Sequence, residues 1–427
     1  MSQFRKQLLL KISSRRAKVA VIGLGYVGLP LAVEFARAGF HTIGIDVSEH
    51  KVKSVNAGRS YISDVPGKIL SQLVKKRKLH ATDKFDILRE CDAVLICVPT
   101  PLAKTHAPDM SYIVSAAKEV AKYVHGGMLI VLESTTYPGT TEEIIVPLVV
   151  INGITVGRDV FVAFSPERID PGRKDILFKD IPKIIGGATP RCLEVAQELY
   201  HNVSDRVVPV SSAAAAEMAK LLENTFRMVN IALVNEVLIM CDKLGLDAWE
   251  VIEAAATKPY GFMKFKPGPG IGGHCIPLDP HYLSWKLRAL DYHARFIQLA
   301  EEINAGMPSY WVNKVAEELN ERRKTLRGSR VLVLGVTYKP DIDDLRESPA
   351  LDIIELLEKR GARVVFNDPF FKSLKSEGLM TPFVELTRKA LSEKDCVIIV
   401  TDHSVYDWNF VRRHAALIVD CRNALKK

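Results

Sequence analysis

Between Lys18 and Val47 an apolar run, a glycine-rich turn, a helically patterned stretch and a second apolar run follow one another without interruption. Lys18–Ile22, rich in Val and Ile, reads as a buried strand. Gly23-Leu24-Gly25-Tyr26-Val27-Gly28 follows it, Leu29–Ala38 spaces its apolar residues as a helix does, Gly39 ends that helix, and Thr42–Val47 is the next strand. Strand, turn, helix, strand is one βαβ unit, and it commits the chain to an α/β fold. In this setting Gly23 allows the tight turn, Gly25 lets the backbone approach a pyrophosphate at the helix N-terminus, and Gly28 permits close helix–strand contact. Asp46, eighteen residues past Gly28, accepts from both hydroxyls of an adenosine ribose and repels a 2′-phosphate, so the expected cofactor is NAD rather than NADP. A purely structural glycine turn is the weaker alternative once strand, helix and acidic residue are all in place.

The apolar runs Ala93–Val98, Leu129–Leu132 and Val160–Phe164 are continuous rather than alternating, as in parallel strands covered on both faces. From Ser212 to about Gly245 the chain is rich in Ala, Leu, Met and Glu, which predicts one long helix. Further helical segments flank a Gly/Pro-rich loop, Lys266–Pro280, and the polar stretch Arg322–Ser329 reads as a hinge. The strand–helix–strand rhythm then returns with Val331–Gly335, Ser348–Arg360, Arg363–Asn367, Cys396–Thr401 and Leu417–Val419, but the turn after Gly335 lacks the other two glycines. The expected architecture is two doubly wound, Rossmann-like domains joined by a long central helix and a helical middle domain, with limits 1–210, 211–325 and 326–427.

Composition excludes several function classes. No apolar run approaches the ~20 residues of a spanning helix, and Leu8–Leu10 is too short for a signal peptide, so a cytoplasmic enzyme with no membrane partner is expected. The seven cysteines are scattered and never spaced C-x-x-C, which argues against a disulfide framework or a zinc ribbon; no histidine shows ligand spacing, and no metal is expected. Net charge is +8, which permits polyanionic partners. The basic runs Lys75–Lys78 and Arg322–Lys324 lack interleaved aromatics and read as solvated faces, so no nucleic acid is expected.

Three further features carry chemistry. Cys275 lies in Gly268-Pro269-Gly270-Ile271-Gly272-Gly273-His274-Cys275-Ile276-Pro277-Leu278-Asp279-Pro280. Glycines offer a thiol backbone amides and little bulk, which suits a lowered pKa and close approach of a substrate carbonyl; Asp279 lies near it across a turn. On composition alone a loop cysteine beside a helix cap fits equally well. The other six cysteines sit in apolar strands or helices and read as core. Lys220 and Asn224, four apart on the long helix with Arg227 a turn on, share one face that could stabilise an oxyanion; without further context a solvated stripe explains them better. Glu133–Gly139 and Ser165–Gly172 each follow a strand, where open α/β sheets place ligands.

Taken in order, the glycine fingerprint with Asp46, Pro99-Thr100-Pro101, Ser134-Thr135, Ser165-Pro166-Glu167, Glu217 to Asn224, Gly272–Cys275 with Asp279, Tyr338-Lys339 and Arg346-Glu347-Ser348 resemble the UDP-glucose/GDP-mannose dehydrogenase family over nearly the whole chain. The resemblance implies oxidation of a nucleotide sugar's C6 alcohol to a carboxylate with two NAD and no release of the aldehyde. It makes Cys275 the thiolate that forms a thiohemiacetal and then a thioester. Lys220 and Asn224 stabilise the oxyanion, Asp279 with Thr135 places water, and Glu167 is the general base of hydrolysis, with the proton work among Lys220, Asp279 and Glu167 left undivided. Tyr26, Val27, Thr100, Thr135 and Arg346 join the cofactor site by the same comparison. Glu167, Arg168, Ile169, Asp170, Lys220, Asn224, Lys339 and Arg422 contact the UDP-sugar. The first domain thereby becomes the NAD-binding one, the middle the dimer core and carrier of the cysteine loop, the last the UDP-sugar domain, and the chain a homodimer or higher oligomer.

Many members of the family read Gly-Gly-Ser-Cys and carry lysine where this chain has His274 and Leu278. Pro280-His281-Tyr282-Leu283, Thr135–Thr141 and Thr257–Met263 are similar to the branch acting on UDP-N-acetylhexosamines, nearest the UDP-N-acetylglucosamine 6-dehydrogenases. UDP-N-acetylmannosamine dehydrogenases share the His-Cys pair, so the mannosamine epimer or plain UDP-glucose remain alternatives. A noncatalytic NAD- or nucleotide-sensing protein is the alternative from a different class.

Overall fold

The computed structural model describes residues 2–62, 64–102, 107–150, 153–168 and 178–426. They form two compact units, Met1–Glu223 with His281–Asp291, and Asn224–Pro280 with Tyr292–Lys427.

The first unit opens on a helix where the sequence looks merely basic and unpatterned. In α1 (Gln3–Ser13) only Leu8 and Ile12 are buried, one turn apart, too sparse an apolar period to read. Tertiary contacts hold it: Phe4 covers Gly126, where a Cβ would run into the ring, and Lys11 Nζ reaches Asp92 Oδ1 at 2.6 Å. Then follow β1 (Lys18–Ile22), α2 (Gly28–Arg37), β2 (His41–Ile45), α3 (Glu49–Asn56), α4 (Gly67–Lys75), β3 (Leu79–Thr82), β4 (Ala93–Ile96), α5 (Ser111–Ala121), β5 (Leu129–Leu132), α6 (Val146–Val149), β6 (Phe161–Phe164), β7 (Lys183–Gly187), α7 (Pro190–Tyr200) and β8 (Val207–Val210). The eight strands lie in the order β3-β2-β1-β4-β5-β6-β7-β8, parallel except where β7 meets β6. Alternate residues of each central strand feed opposite cores. Val19, Val21, Leu95, Val131 and Phe161 pack with α2 and α7, whereas Ala20, Ile22, Ile96, Ile130 and Phe164 pack with α5 and the start of the next helix. That is why these strands are apolar at every position.

β3, β7 and β8 were not expected. β3 is four residues long, β8 contains Pro209 and is tolerated at the sheet edge, and β7 ends in two glycines. Those glycines are required: a Cβ on Gly186 would sit 2.0 Å from the Ser212 carbonyl oxygen, and one on Gly187 2.3 Å from the Leu193 nitrogen.

α8 (Ala213–Leu244) spans 32 residues and carries the end of one unit into the next, stopping at Gly245 with φ +70°. The second unit continues with α9 (Ala248–Ala255), the start of α10 (Asp279–Arg288, of which His281 onward belongs to the first unit), α11 (Arg295–Glu321), β9 (Arg330–Leu334), α12 (Pro349–Lys359), β10 (Arg363–Asn367), α13 (Arg388–Ser392), β11 (Cys396–Ile399), α14 (Trp408–His414) and β12 (Ile418–Asp420). Its sheet runs β10-β9-β11-β12, all parallel. Val331, Val333, Phe366 and Ile398 pack with α11 and α12 on one face; Leu332, Leu334, Val397 and Ile399 meet Leu391 and Val411 on the other. The expected α/β class, two sheets each covered on both faces, is what the chain forms. Among the described residues no helix is long and apolar enough to cross a membrane.

Candidate active site

The glycine turn connects β1 to α2, and its three glycines are needed for three different reasons. Gly23 has φ +93°, and a Cβ there would lie 2.5 Å from the Cys97 carbonyl oxygen. A Cβ on Gly28 would lie 1.8 Å from the Gly23 carbonyl oxygen, so α2 could not approach β1. Gly25 meets nothing within 4 Å, so the chain itself does not demand a glycine there. An open position over a helix N-terminus is a cradle that a Cβ would fill, and it fits the pyrophosphate of a dinucleotide. Asp46, 6% exposed, follows β2 and accepts from the backbone N–H of Leu24 at 2.8 Å and of Ser48 at 2.9 Å, with Lys51 Nζ at 3.0 Å. The Asp46 carboxylate thus braces the glycine turn from the end of β2. Tyr26 is exposed and Val27 half-buried beside it.

Two neighbouring strand ends border this turn. Ser134 Oγ donates to the Val98 carbonyl at 2.8 Å, tying the loop after β5, with half-buried Thr135, to the segment leading to buried Thr100. The Tyr282 hydroxyl in turn donates to the Thr100 carbonyl. Further along the β5 loop, Glu217 of α8 accepts from the N–H of Gly139 and from the N–H and hydroxyl of Thr141. Burial pushes the Glu217 carboxyl up to about 7 despite these donors. Lys220, one turn on, is 8% exposed, and its neighbour Leu221 packs on Tyr137 and Tyr282. This face of α8 is therefore buried, whereas Arg227 is exposed, and the solvated-stripe explanation of Lys220 and Asn224 does not hold.

Glu167, following β6, is 7% exposed; it accepts from the N–H of Arg168 at 2.6 Å and from Lys183 Nζ at 3.2 Å. The Arg168 side chain pairs with Glu223 and donates to the Pro182 carbonyl at 2.8 Å. Ile169 and Asp170 lie outside the described residues. Lys183 and Tyr200, which the sequence reading passed over, are buried beside Glu167 and Glu133. The available signal was a lone charge opening an otherwise apolar strand.

In the second unit Cys275 is exposed, while the other six cysteines are buried as expected of core residues. Its loop is seated on the segment after β9 through its glycines. A Cβ on Gly272 would lie 2.5 Å from the Tyr338 side chain and 2.6 Å from the Glu347 carbonyl oxygen, and one on Gly273 2.8 Å from the Tyr338 ring; the Gly273 N–H donates to the Arg346 carbonyl at 2.9 Å. The Asp279 N–H donates to the Cys275 carbonyl at 2.8 Å, closing the turn, and the Asp279 carboxylate, 2% exposed, accepts from the Asn224 amide. Cys275 and Asp279 thus share one turn, and the Asn224 amide joins them through the Asp279 carboxylate. Burial, with Arg346 near, pushes the His274 imidazolium down, so the ring is neutral at pH 7.

Lys339 is half-buried, and Thr337 Oγ1 donates to its carbonyl at 2.9 Å. The Arg346 guanidinium is exposed and held bidentate by Asp344, at 3.0 and 2.6 Å. Arg422 Nε donates to the Val400 carbonyl at 2.9 Å, and its guanidinium fills the space a side chain on Gly268 would need. Among the described residues no group of three or more His, Cys, Asp or Glu side chains is arranged to hold a metal ion.

Comparison with known proteins follows this division of labour. The family models of the UDP-glucose/GDP-mannose dehydrogenases match in order: the NAD binding domain over residues 17–204, the central domain over 214–306 and the UDP binding domain over 332–427. The UDP-N-acetyl-D-glucosamine 6-dehydrogenase of Pseudomonas aeruginosa is 37% identical over 355 residues, 83% of each chain. A UDP-N-acetyl-D-mannosamine dehydrogenase of Methanococcus maripaludis is 36% identical over 91% of this chain and 87% of its own. The solved structure of the Pyrococcus horikoshii UDP-D-ManNAc dehydrogenase superposes with a TM-score of 0.86 at 33% identity, covering 96% of both chains. With a dinucleotide cradle in one unit, an exposed thiol loop in the other and all three family domains in sequence, the chain belongs to the UDP-glucose/GDP-mannose dehydrogenase family as an NAD-dependent UDP-sugar dehydrogenase.

Proposed function

We propose that this chain oxidises C6 of UDP-N-acetyl-D-glucosamine to the carboxylate, giving UDP-N-acetyl-D-glucosaminuronate, through a thiohemiacetal and a thioester on Cys275. The observation that carries the reading is the seating of the one exposed cysteine, on a glycine loop whose backbone rests on Tyr338 and on the Arg346–Glu347 carbonyls of the UDP-binding domain. NAD, held by Gly23, Gly25, Tyr26, Val27, Gly28, Asp46, Thr100, Thr135 and Arg346, accepts a hydride in each of two oxidations. Cys275 adds to the aldehyde carbon; Lys220 and Asn224 donate to the oxygen that becomes negative. Asp279, fixed by Asn224, and Thr135 orient water, and Glu167 takes its proton as the thioester is hydrolysed. Lys339, Arg168, Ile169, Asp170 and Arg422 hold the UDP-sugar. The functional division is 1–210 for NAD, 211–325 for the cysteine loop and assembly, and 326–427 for UDP-sugar.

The N-acetylhexosamine class is favoured by the His274-Cys275 and Leu278-Asp279-Pro280 pattern, and the glucosamine epimer by the P. aeruginosa relative. The mannosamine epimer is the second reading, supported by relatives named for it. Turnover on purified UDP-GlcNAc, UDP-ManNAc and UDP-glucose, with NADH counted per sugar, tests this. We expect two NADH per sugar and UDP-GlcNAc as the best substrate by kcat/KM; preference for UDP-glucose would overturn the role given to His274. A nucleotide sensor would produce no NADH at all.

We further propose a homodimer built on α8, in the cytoplasm, where thiols remain reduced. Phe226, Leu233, Met240 and Leu244 are 44, 53, 48 and 71% exposed and recur along one stripe of a single helix. Such a stripe is stable in water when a second copy covers it about a two-fold axis. Replacing Leu233 and Met240 together by Asp should halve the mass seen by sedimentation velocity; an unchanged mass would place the contact elsewhere.

A further inference from the structure

Four ionisable side chains are shut in together beyond the ends of β5 and β6, and three of them have no part in the reaction as derived so far. Glu133 follows β5, Glu167 follows β6, Lys183 opens β7 and Tyr200 closes α7; their exposures are 1, 7, 2 and 0%. Lys183 Nζ donates to Glu133 Oε2 at 3.0 Å, to Glu167 Oε2 at 3.2 Å and to the Pro166 carbonyl at 3.4 Å. The Tyr200 hydroxyl donates to the other oxygen of Glu133. The rings of Tyr200 and Phe178 face the ammonium at 5.5 and 5.8 Å.

Buried ion pairs are poor stabilisers, since well-packed apolar side chains serve as well, so a triad of this kind invites a functional reason. Two carboxylates also share one ammonium, which leaves the cluster one positive charge short when both are ionised. Burial raises the Glu133 pKa, and the neighbouring Cys97 thiol is raised far enough to stay neutral. The Arg168 guanidinium, next in the chain after Glu167, pairs with Glu223. Among the described residues, Lys183 and, through it, Glu133 bear on the charge at Glu167.

We propose that Lys183 and Glu133 are positioning residues for Glu167. Lys183 clamps one carboxylate oxygen, and Glu133, competing for the same ammonium, sets how tightly Glu167 holds the proton that it takes from water in the hydrolytic step. This rests on the reading of Glu167 as the base of that step. There the water oxygen bonds to the thioester carbon, one water proton passes to Glu167, the carbon–sulfur bond breaks with its electron pair returning to Cys275 Sγ, and the free acid leaves. Glu167 then returns its proton to solvent, so no further reactant is needed.

The test compares the pH profile of acid formation, and the decay of the enzyme-bound sugar adduct by intact mass, in wild type, Glu167→Gln, Glu133→Gln, Lys183→Met and the double variant Glu133→Gln/Lys183→Met. With Glu133 neutral, Lys183 serves Glu167 alone and the carboxylate is harder to protonate. The acid limb should move down by about one pH unit, with KM for sugar and the first burst of NADH unchanged. Lys183→Met should move the limb up and slow acid formation by on the order of 10- to 100-fold. Where that variant does not fold, the double variant, which removes opposite charges together and leaves the net charge of the cluster unchanged, should still show the slowed decay. An acid limb that stays put in Glu133→Gln, or wild-type acid formation in the double variant, would make the cluster purely structural. If Glu167→Gln slows hydrolysis while Glu133→Gln shifts nothing, only the positioning roles fall. If Glu167→Gln forms acid at the wild-type rate, the base assignment falls and the positioning roles with it.

Discussion

Cys275→Ala should cut acid formation from the UDP-sugar by on the order of 10,000-fold, while leaving NAD affinity and thermal stability as they are. The thiol is asked to trap the aldehyde as a tetrahedral adduct from which a second oxidation is possible, and alanine offers no atom for that bond. Because Cys275 is exposed, the substitution removes little buried surface, and exposed substitutions of this kind change stability by about 0.5 kcal/mol or less. The rate loss can then be assigned to chemistry rather than to unfolding. NADH counted per sugar, NAD binding by calorimetry and a melting curve form the measurement. Undiminished turnover with two NADH per sugar would exclude a thioester. Replacement of Cys97 or Cys421, both buried, should do the reverse, lowering stability without touching the stoichiometry.

The second large effect separates two glycines of one motif. Gly28→Ala would set a methyl 1.8 Å from the Gly23 carbonyl oxygen and 3.2 Å from the Cys97 side chain, all atoms of the unit's own framework. Relief requires α2 to move off β1, and overpacking of this sort costs about 1–3 kcal/mol or more, so the melting temperature should fall and NAD binding should weaken with it. Gly25→Ala meets no atom of the chain within 4 Å and has no positive φ to lose. Its melting temperature without cofactor should match wild type, yet NAD affinity should drop about 10- to 100-fold, because the methyl occupies the space a pyrophosphate needs. Equal NAD affinity in Gly25→Ala and wild type would show that the dinucleotide does not pass over this turn.

These expectations differ in how far they were visible beforehand. Asp46, Gly23 and Gly28 belong to a local pattern whose parts lie within one βαβ unit, and local patterns survive in a one-dimensional string. The long helix was equally plain, ending within a residue of Ser212 and Gly245 at either side, since 32 residues without a glycine or proline leave few other states. Lys220 and Asn224 were visible as residues but not as buried ones. Whether a helix face meets water or Tyr137 and Tyr282 depends on segments about 80 residues before and 60 after it.

α1, β3, β7 and β8 were missed for related reasons. α1 has too sparse an apolar period, the strands are short or carry a proline or paired glycines, and each is stabilised by partners distant in the chain rather than by its own pattern. Gly186 and Gly187 look like a break in a strand; the fold shows them to be the only residues small enough for Ser212 and Leu193 to come so close.

The sequence by itself determined the α/β class, the NAD turn with its acidic partner, the long helix and the identity of the one cysteine set among glycines, because each is written within one continuous stretch of chain, a single βαβ unit, helix or loop. Only the tertiary structure decided that the cysteine loop sits on Tyr338 and Glu347 through bare glycine backbone, that Asn224 reaches Asp279, and that Lys183 is shared between Glu133 and Glu167. Those contacts join residues from 16 to more than 60 positions apart, and their energy comes from burying charges and backbone against one another, a term that does not exist until the chain has closed.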